Sequence, residues 1–212
     1  EYYRNQLLTF GDDEQVEWKT LGEMCDIGDG LHGTPQYDDN GKYYFINGNN
    51  LDNGKITFDS KTKRVNDAMY KKYSICFSIR NTIFMSINGT IGSVAFFNNE
   101  NIILGKSVAY FNINKPILNS KFLFYFFQTN FSKEYFESQK TGSTIKNLGL
   151  KALRTFQIPI PPLSEQARIV SILDKFDALV NDISTGLPAE IKMRKHQYEY
   201  YRNKLLTFEK AA

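Results

Sequence analysis

Cysteine and histidine are nearly absent: two of each occur in 212 residues. Cys25 and Cys76 are too few for a disulfide framework or a cysteine-based zinc site. Both stand among apolar residues and are expected to be buried free thiols. His32 and His196 lie far apart in sequence and in unlike surroundings, so no metal pair is expected. No apolar run approaches the ~20 residues that span a membrane, and no secretory leader is expected ahead of the first element. A reducing cytoplasm is the expected compartment.

Catalytic signatures are missing too. Holding a flipped adenine for methyl transfer takes a short Asn/Asp-Pro-Pro-aromatic loop. The one Pro-Pro pair, Pro161 and Pro162, lies in IPPL with no acid, amide or aromatic beside it. Gly89-Thr90-Ile91-Gly92 is a single GxxG, and Gly105-Lys106-Ser107 imitates the end of a phosphate loop without the first glycine at the right spacing. A carboxylate cluster assembled by the fold stays open, although Asp38 and Asp39 read as turn chemistry. The chain is read as non-catalytic, with no cofactor and no metal of its own.

What is present is apolar bulk and unevenly placed charge. Hydrophobic residues make up 42%, with 17 Phe and 13 Tyr, enough to bury a core. The net charge of +3 permits a nucleic-acid partner without demanding one. Residues 138–164 hold Lys140, Lys146, Lys151 and Arg154 and no acid. Residues 59–81 hold Lys61, Lys63, Arg64, Lys71, Lys72 and Arg80 against Asp59 and Asp67. Two basic segments suit a face for an anion; the other reading is strand edges guarded by lysines.

The chain divides into three parts: residues 1–12, a body at 13–163, and a helical region at 164–208. The body carries KYYFING, GKITF, SICFSI, NTIFMSI, GSVAFF and SVAYFNI, short β-branched and aromatic runs separated by turn pairs such as Asn53-Gly54 and Asn88-Gly89. A curved, mostly antiparallel sheet is expected. Residues 120–138, SKFLFYFFQTNFSKEYFES, are too long for a strand and follow a good N-cap in Asn119 or Ser120, so one helix is expected. Its aromatic rings suit core packing, with base stacking a minor alternative. A shorter helix is expected to begin near Asn147 and run through LGLKALR.

After QIPIPPL, a stiff extended connector, Ser164 is expected to cap a long helix. Its apolar positions step by threes and fours: Ile169, Leu173, Phe176, Val180, Ile183, Leu187, Ile191, then Tyr198, Tyr201, Leu205 and Phe208. That is a coiled-coil-like seam. Gly186 and Pro188 predict a kink or break. Such a helix would run ~65 Å, would protrude from the body, and would need a partner helix along its seam. The fold class expected is α+β: a sheet-and-helix body followed by a long protruding helix.

EYYRNQLLTF at residues 1–10 returns as EYYRNKLLTF at 199–208, with only Gln6 and Lys204 differing. The second copy ends the long helix. The first is therefore read as the tail of a preceding helix, and the repeating unit as body, connector and helix.

The stretch QIPIPPLSEQARIVSILDKFDALVNDISTGLPAEIKMRKHQYEYYRNKLLTF resembles the conserved region of the DNA-specificity subunits of type I restriction–modification systems. GDGLHGTPQYDDNGKYYFINGNNL, NTIFMSINGTIGSVAFF and KTGSTIKNLGLKALRTFQIPIPPL resemble their target recognition domain. The resemblance implies a non-catalytic subunit that reads one half of a split site in double-stranded DNA. It implies long helices that pair and set a spacing. It also implies assembly with modification subunits, which use S-adenosylmethionine, and with restriction subunits, which use ATP and Mg. The chain departs from the full pattern in having one recognition domain. A homodimer through the helices, or the second half of a longer subunit, would restore two.

Base reading needs amides, hydroxyls and cations on loops, and the sequence offers four loops. The first has His32, Thr34, Gln36 and Tyr37; the second Asn47, Asn49 and Asn50; the third Ser86, Asn88 and Thr90. The fourth has Lys140, Thr141, Ser143, Thr144, Lys146 and Asn147 and combines glycine, hydroxyls and acid-free positive charge. Lys140, Lys146, Lys63 and Arg64 are expected on phosphates. Each has a plainer reading: Asn-Gly pairs as turns, His32 as a structural histidine, residues 142–144 as a lead-in to a helix. A self-contained repressor-like dimer remains the alternative function; a nuclease or methyltransferase is opposed by the missing motifs.

Overall fold

The computed structural model describes residues 1–11, 16–181 and 186–206. It contains two units, Glu1–Ala167 and Arg168–Ala212. In the first unit come α1 (Tyr2–Leu7), β1 (Glu17–Thr20), α2 (Leu21–Met24), β2 (Cys25–Asp29), β3 (Tyr43–Ile46), β4 (Leu51–Asp52), β5 (Lys55–Ile56), β6 (Arg64–Val65) and α3 (Asp67–Tyr73). They are followed by β7 (Thr82–Ser86), β8 (Val94–Phe96), β9 (Ile102–Leu104), β10 (Val108–Ile113), α4 (Ser120–Phe127), α5 (Asn130–Ser138), β11 (Lys140–Thr141), β12 (Asn147–Leu148), α6 (Leu150–Thr155) and β13 (Gln157–Ile160). Two longer helices follow, α7 (Leu163–Asn181) and α8 (Leu187–Leu206).

The α+β class holds, with strands mostly antiparallel. The strand content is shared among small sheets rather than gathered in one. The central sheet has the order β2-β10-β7-β8, all antiparallel. A second has the order β6-β3-β9, in which β3 and β9 run parallel. Every residue of β7 is buried, as a strand covered on both faces requires. Asn53 and Gly54 both take positive φ (39° and 84°) and close the two-residue β4–β5 hairpin that the Asn-Gly pair predicts.

Helix α4 supplies the aromatic core. Phe122, Leu123, Phe124, Tyr125, Phe126 and Phe127 are all buried, which removes these rings from base stacking. Phe127 meets Phe111 of the central sheet at 5.1 Å between ring centroids, and Phe124 meets Phe96 at 4.9 Å. The single helix expected over 120–138 is two helices. Thr129 ends one and caps the next: its Oγ1 donates to the Phe126 carbonyl at 2.8 Å and accepts from the Ser132 N–H at 3.2 Å. Ser132 Oγ donates to the same carbonyl at 2.6 Å. Hydroxyls competing for helix backbone groups stop the first helix there.

Four other expectations change. The helix expected near Asn147 starts at Leu150, because Asn147 and Leu148 pair with β11. SICFSI keeps an alternating pattern, with Ile75 and Phe77 packed on the core, but forms no strand. Cys76, on the outward side of that alternation, is exposed, whereas Cys25 is buried and its thiol is pushed up to about 12 by burial, with Asp26 adding to it. Strand β9, three consecutive buried residues from NIILG, had no expected counterpart.

The connector is extended, but its first half is paired: β13 runs antiparallel to β1, with Pro159 opposite Trp18. A two-stranded ribbon leaves edges on which proline is tolerated. Helix α7 starts one residue before Ser164; the N–H groups of Glu165 and Gln166 both donate to the Pro162 carbonyl, at 2.9 and 3.0 Å. Helix α8 begins afresh at Leu187, with Pro188 in its first turn, where no intrahelical N–H is lost. Among the described residues, no helix is long and apolar enough to cross a membrane.

Candidate nucleic-acid interface

One end of the central sheet is formed by Asp29, Ser86, Val94 and Val108. There the chain turns from β9 into β10 through Gly105, Lys106 and Ser107. Three of the four expected loops are fastened at this turn, and the fourth is fastened to the third. The Lys106 N–H donates to Leu31 and the Leu31 N–H to Leu104, at 3.1 and 2.8 Å, which anchors the first loop. The Gly48 N–H donates to Ser107 Oγ, which donates to Asn47 Oδ1, both at 3.0 Å, anchoring the second. The Ile87 N–H donates to the Ser107 carbonyl at 2.9 Å and Asn88 Nδ2 to the Lys106 carbonyl at 3.2 Å, anchoring the third. The fourth hangs on the third: the Gly89 N–H donates to Lys146 at 3.1 Å, and the Leu148 N–H to Ile87 at 2.9 Å. A Cβ at Gly105 would overlap the side-chain oxygen of Asn47 and displace it from Ser107.

This fastening occupies some of the expected side chains and leaves others exposed. Asn47 and Asn50 are supports: Asn50 Oδ1 accepts from the Asn47 N–H at 2.9 Å, and its Nδ2 donates to the Thr57 carbonyl and Thr62 Oγ1 at 3.0 and 3.1 Å. Ser86 is buried and its Oγ accepts from the Ser93 N–H at 2.9 Å. Asn50 and Ser86 are buried and Asn47 is half-buried, with their side chains engaged inside the fold. Asn88 is half-buried, with one amide hydrogen bond to the turn, and Asn147 is half-buried in the bridge opposite it. His32 is engaged, its Nε2 2.7 Å from Asp29 Oδ2, although its side chain is 70% exposed.

Thr34, Gln36, Tyr37, Asn49, Thr90, Thr141, Ser143, Thr144 and Lys146 are exposed around the turn. The cations differ in freedom. Lys140 is paired with Glu137. Arg64 donates to Tyr44 Oη at 3.0 Å and lies 4.8 Å over that ring, which stacks on Phe58. Lys63 sits 6.0 Å from the Tyr37 ring centroid, beside the end of the first loop. Lys146 is exposed and, among the described residues, has no ion pair; the same holds for Lys106. Sequence reasoning missed Lys106, which GKS between two strand-like runs could have flagged as a turn lysine. It also missed Ile145, 67% exposed within the fourth loop, an apolar group of the kind that meets a thymine methyl.

The helical seam divides in the same way. Ile169 and Leu173 are already buried, so they are not free for a partner. Phe176, Val180, Leu187, Ile191, Tyr198, Tyr201 and Leu205 are all at least 40% exposed. Ile183 and Phe208 lie outside the described residues.

Comparison with known proteins gives a consistent result. Residues 13–193 match a family model described as the type I restriction modification DNA specificity domain. The specificity subunit of an Escherichia coli type I restriction enzyme is 34% identical over 224 residues, covering 99% of this chain and 52% of that protein. A putative type I restriction enzyme specificity subunit of Haemophilus influenzae is 35% identical over 147 residues, covering 68% and 37%. The crystal structure of the HsdS subunit from Thermoanaerobacter tengcongensis shares the fold with a TM-score of 0.62 at 20% identity, covering 86% of this chain and 43% of that one. The chain thus spans about half the length of the E. coli relative.

Proposed function

This chain belongs to the type I restriction modification DNA specificity family, and from that premise we propose that its first unit reads one half-site of a bipartite target in double-stranded DNA. The observation that carries the reading is the gathering of three loops on the 105–107 turn, with the fourth held to the third. Exposed amides, hydroxyls and two unpaired lysines there share one end of a rigid sheet. Gln36, Asn49, Thr90, Thr141, Ser143 and Thr144 are the base-edge candidates; Lys63, Lys106 and Lys146 are the phosphate contacts. The chain itself performs no chemistry. Modification subunits supply methyl transfer from S-adenosylmethionine, and restriction subunits supply the ATP- and Mg-dependent step. A stand-alone repressor dimer has no support among these relatives.

The exposed seam of α7 and α8 pairs with a like helix, from a second copy or from a second unit of a longer subunit. The N-terminal decapeptide supports the tandem reading. Its Phe10 ring meets Phe122 at 6.5 Å, its Leu8 is buried, and Glu1 pairs with Lys133 at 3.0 Å. A helix tail docked on a recognition body is what a repeating unit requires at each junction.

The test is DNA binding by the chain reconstituted with its modification subunit, read across a salt series. K106A and K146A should each weaken binding to all sequences and flatten the log K against log salt slope by about 0.9 for each phosphate no longer neutralised. Substitutions at Gln36, Asn49 or Ser143 should instead change which bases are methylated. If K106A and K146A leave both affinity and slope unchanged, the turn does not face DNA.

A further inference from the structure

The central sheet has a second end. Strand β10 carries the chain from the loop cluster at Val108 to Ile113, about 17–20 Å away at ~3.4 Å per residue. There an open cavity of about 840 Å³ lies within the first unit. Three exposed cations line it, Lys55, Arg80 and Lys115, none with an ion pair among the described residues. Lys121 also lines it but is already engaged and is not counted. No carboxylate belongs to the lining. Of the acids beside the rim, Asp26 accepts from Asn114 Nδ2 at 3.2 Å and Glu100 from the Asn98 N–H at 2.7 Å, while Asp52 stands opposite Lys55 in the β4–β5 hairpin without an ion pair to it among the described residues.

Two features say what would fill this groove. The cations come from three separate segments. Arg80 is held there in a left-handed conformation (φ 71°), in a turn closed by the Asn81 and Thr82 N–H groups donating to the Ser78 carbonyl at 3.1 and 3.0 Å. Placing a bulky cation at positive φ is unfavourable unless the surroundings fix it. The apolar part of the lining is Phe96, Ile113, Leu118 and Leu163, and Leu163 is 49% exposed. A nucleic-acid backbone has charge for the rim but nothing apolar for this surface. A peptide with carboxylates around an apolar side chain has both.

We propose that this groove docks an acidic segment, bearing an apolar anchor residue, of the modification subunit. It would thus hold the protein partner at the sheet end opposite the DNA. The inference rests on the assembly proposed above, and its test separates the two. The full-length chain carrying K55E, R80E and K115E together is compared with wild type for assembly with the modification subunit by light scattering, and for DNA binding alone.

Assembly weakened by about tenfold or more, with DNA affinity of the isolated chain unchanged, is the expected result. The conservative K55R/K115R chain should assemble like wild type. Should the triple variant fold poorly, K55E and K115E singly, each on an exposed position, must each weaken assembly measurably. Unchanged assembly with the reversed charges overturns the proposal. So does intact assembly with lost DNA affinity, which would make the groove a DNA contact. If the wild-type chain does not assemble at all, the functional reading itself falls.

Discussion

Asn5 Oδ1 accepts a 2.8 Å hydrogen bond from the backbone N–H of Asn130. The donor is the first residue of α5, one of the N–H groups that a helix leaves without an internal partner. A residue of the N-terminal decapeptide thus completes the cap of a helix 125 positions away. Asn5→Ala should lower stability by about 0.5–1.5 kcal/mol and speed amide exchange at Asn130. Denaturant unfolding and hydrogen exchange by NMR check both; an unaltered Asn130 rate would mean the decapeptide does not dock in solution.

Acid should loosen the same contact. Glu1 is held below the usual carboxylate range chiefly by its hydrogen bond to Lys133, Glu23 by the Thr20 hydroxyl, and Asp59 by the Thr62 hydroxyl. A carboxyl depressed in the folded state stabilises above its unfolded pKa, and that stability is lost as pH falls through the folded value. Melting temperature should therefore be flat at neutral pH and fall as pH drops below about 4. Glu23→Gln should shrink that fall, since it removes one titrating group. A melting curve equally steep with and without Glu23 would count against the capping role.

The two thiols should differ in reactivity. Cys25 is buried with its thiol raised to about 12, so almost no thiolate forms at neutral pH. Cys76 is exposed. A thiol reagent should titrate one cysteine in the native protein and the second only after unfolding; Cys76→Ser should leave the native protein inert.

What could be read from sequence was whatever depends on neighbours along the chain. The Asn53-Gly54 hairpin, the helices α7 and α8, and the fresh helix start at Leu187 beside Pro188 all rest on local rules. What could not be read was which side chains the fold would use up. Asn47 and Asn49 look alike in sequence, but Ser107, 60 residues on, takes the first and leaves the second exposed. SICFSI has a strand's alternation, yet strands need a neighbour with a free edge. Residues 120–138 have one helix's composition, yet two hydroxyls bound to the Phe126 carbonyl divide it. Lys106 is not legible as a site residue from GKS alone, because only the fold shows that this turn fastens three of the polar loops.

The second decapeptide should behave as the first does. Glu1, Asn5 and Phe10, which hold the first copy to the body, recur as Glu199, Asn203 and Phe208. Gln6, the one position that differs, bonds among the described residues to Tyr2 within its own helix, 2.8 Å away, so Lys204 in its place leaves the docking surface intact. A synthetic EYYRNKLLTF peptide should therefore bind a chain lacking residues 1–10 and not the full chain, whose surface is occupied. Replacing its asparagine by alanine should weaken binding about fivefold, the equivalent of one hydrogen bond of ~1 kcal/mol. Fluorescence anisotropy of the labelled peptide reads this directly. Equal binding to the full and shortened chains would place the second copy on a different surface and break the tandem arrangement.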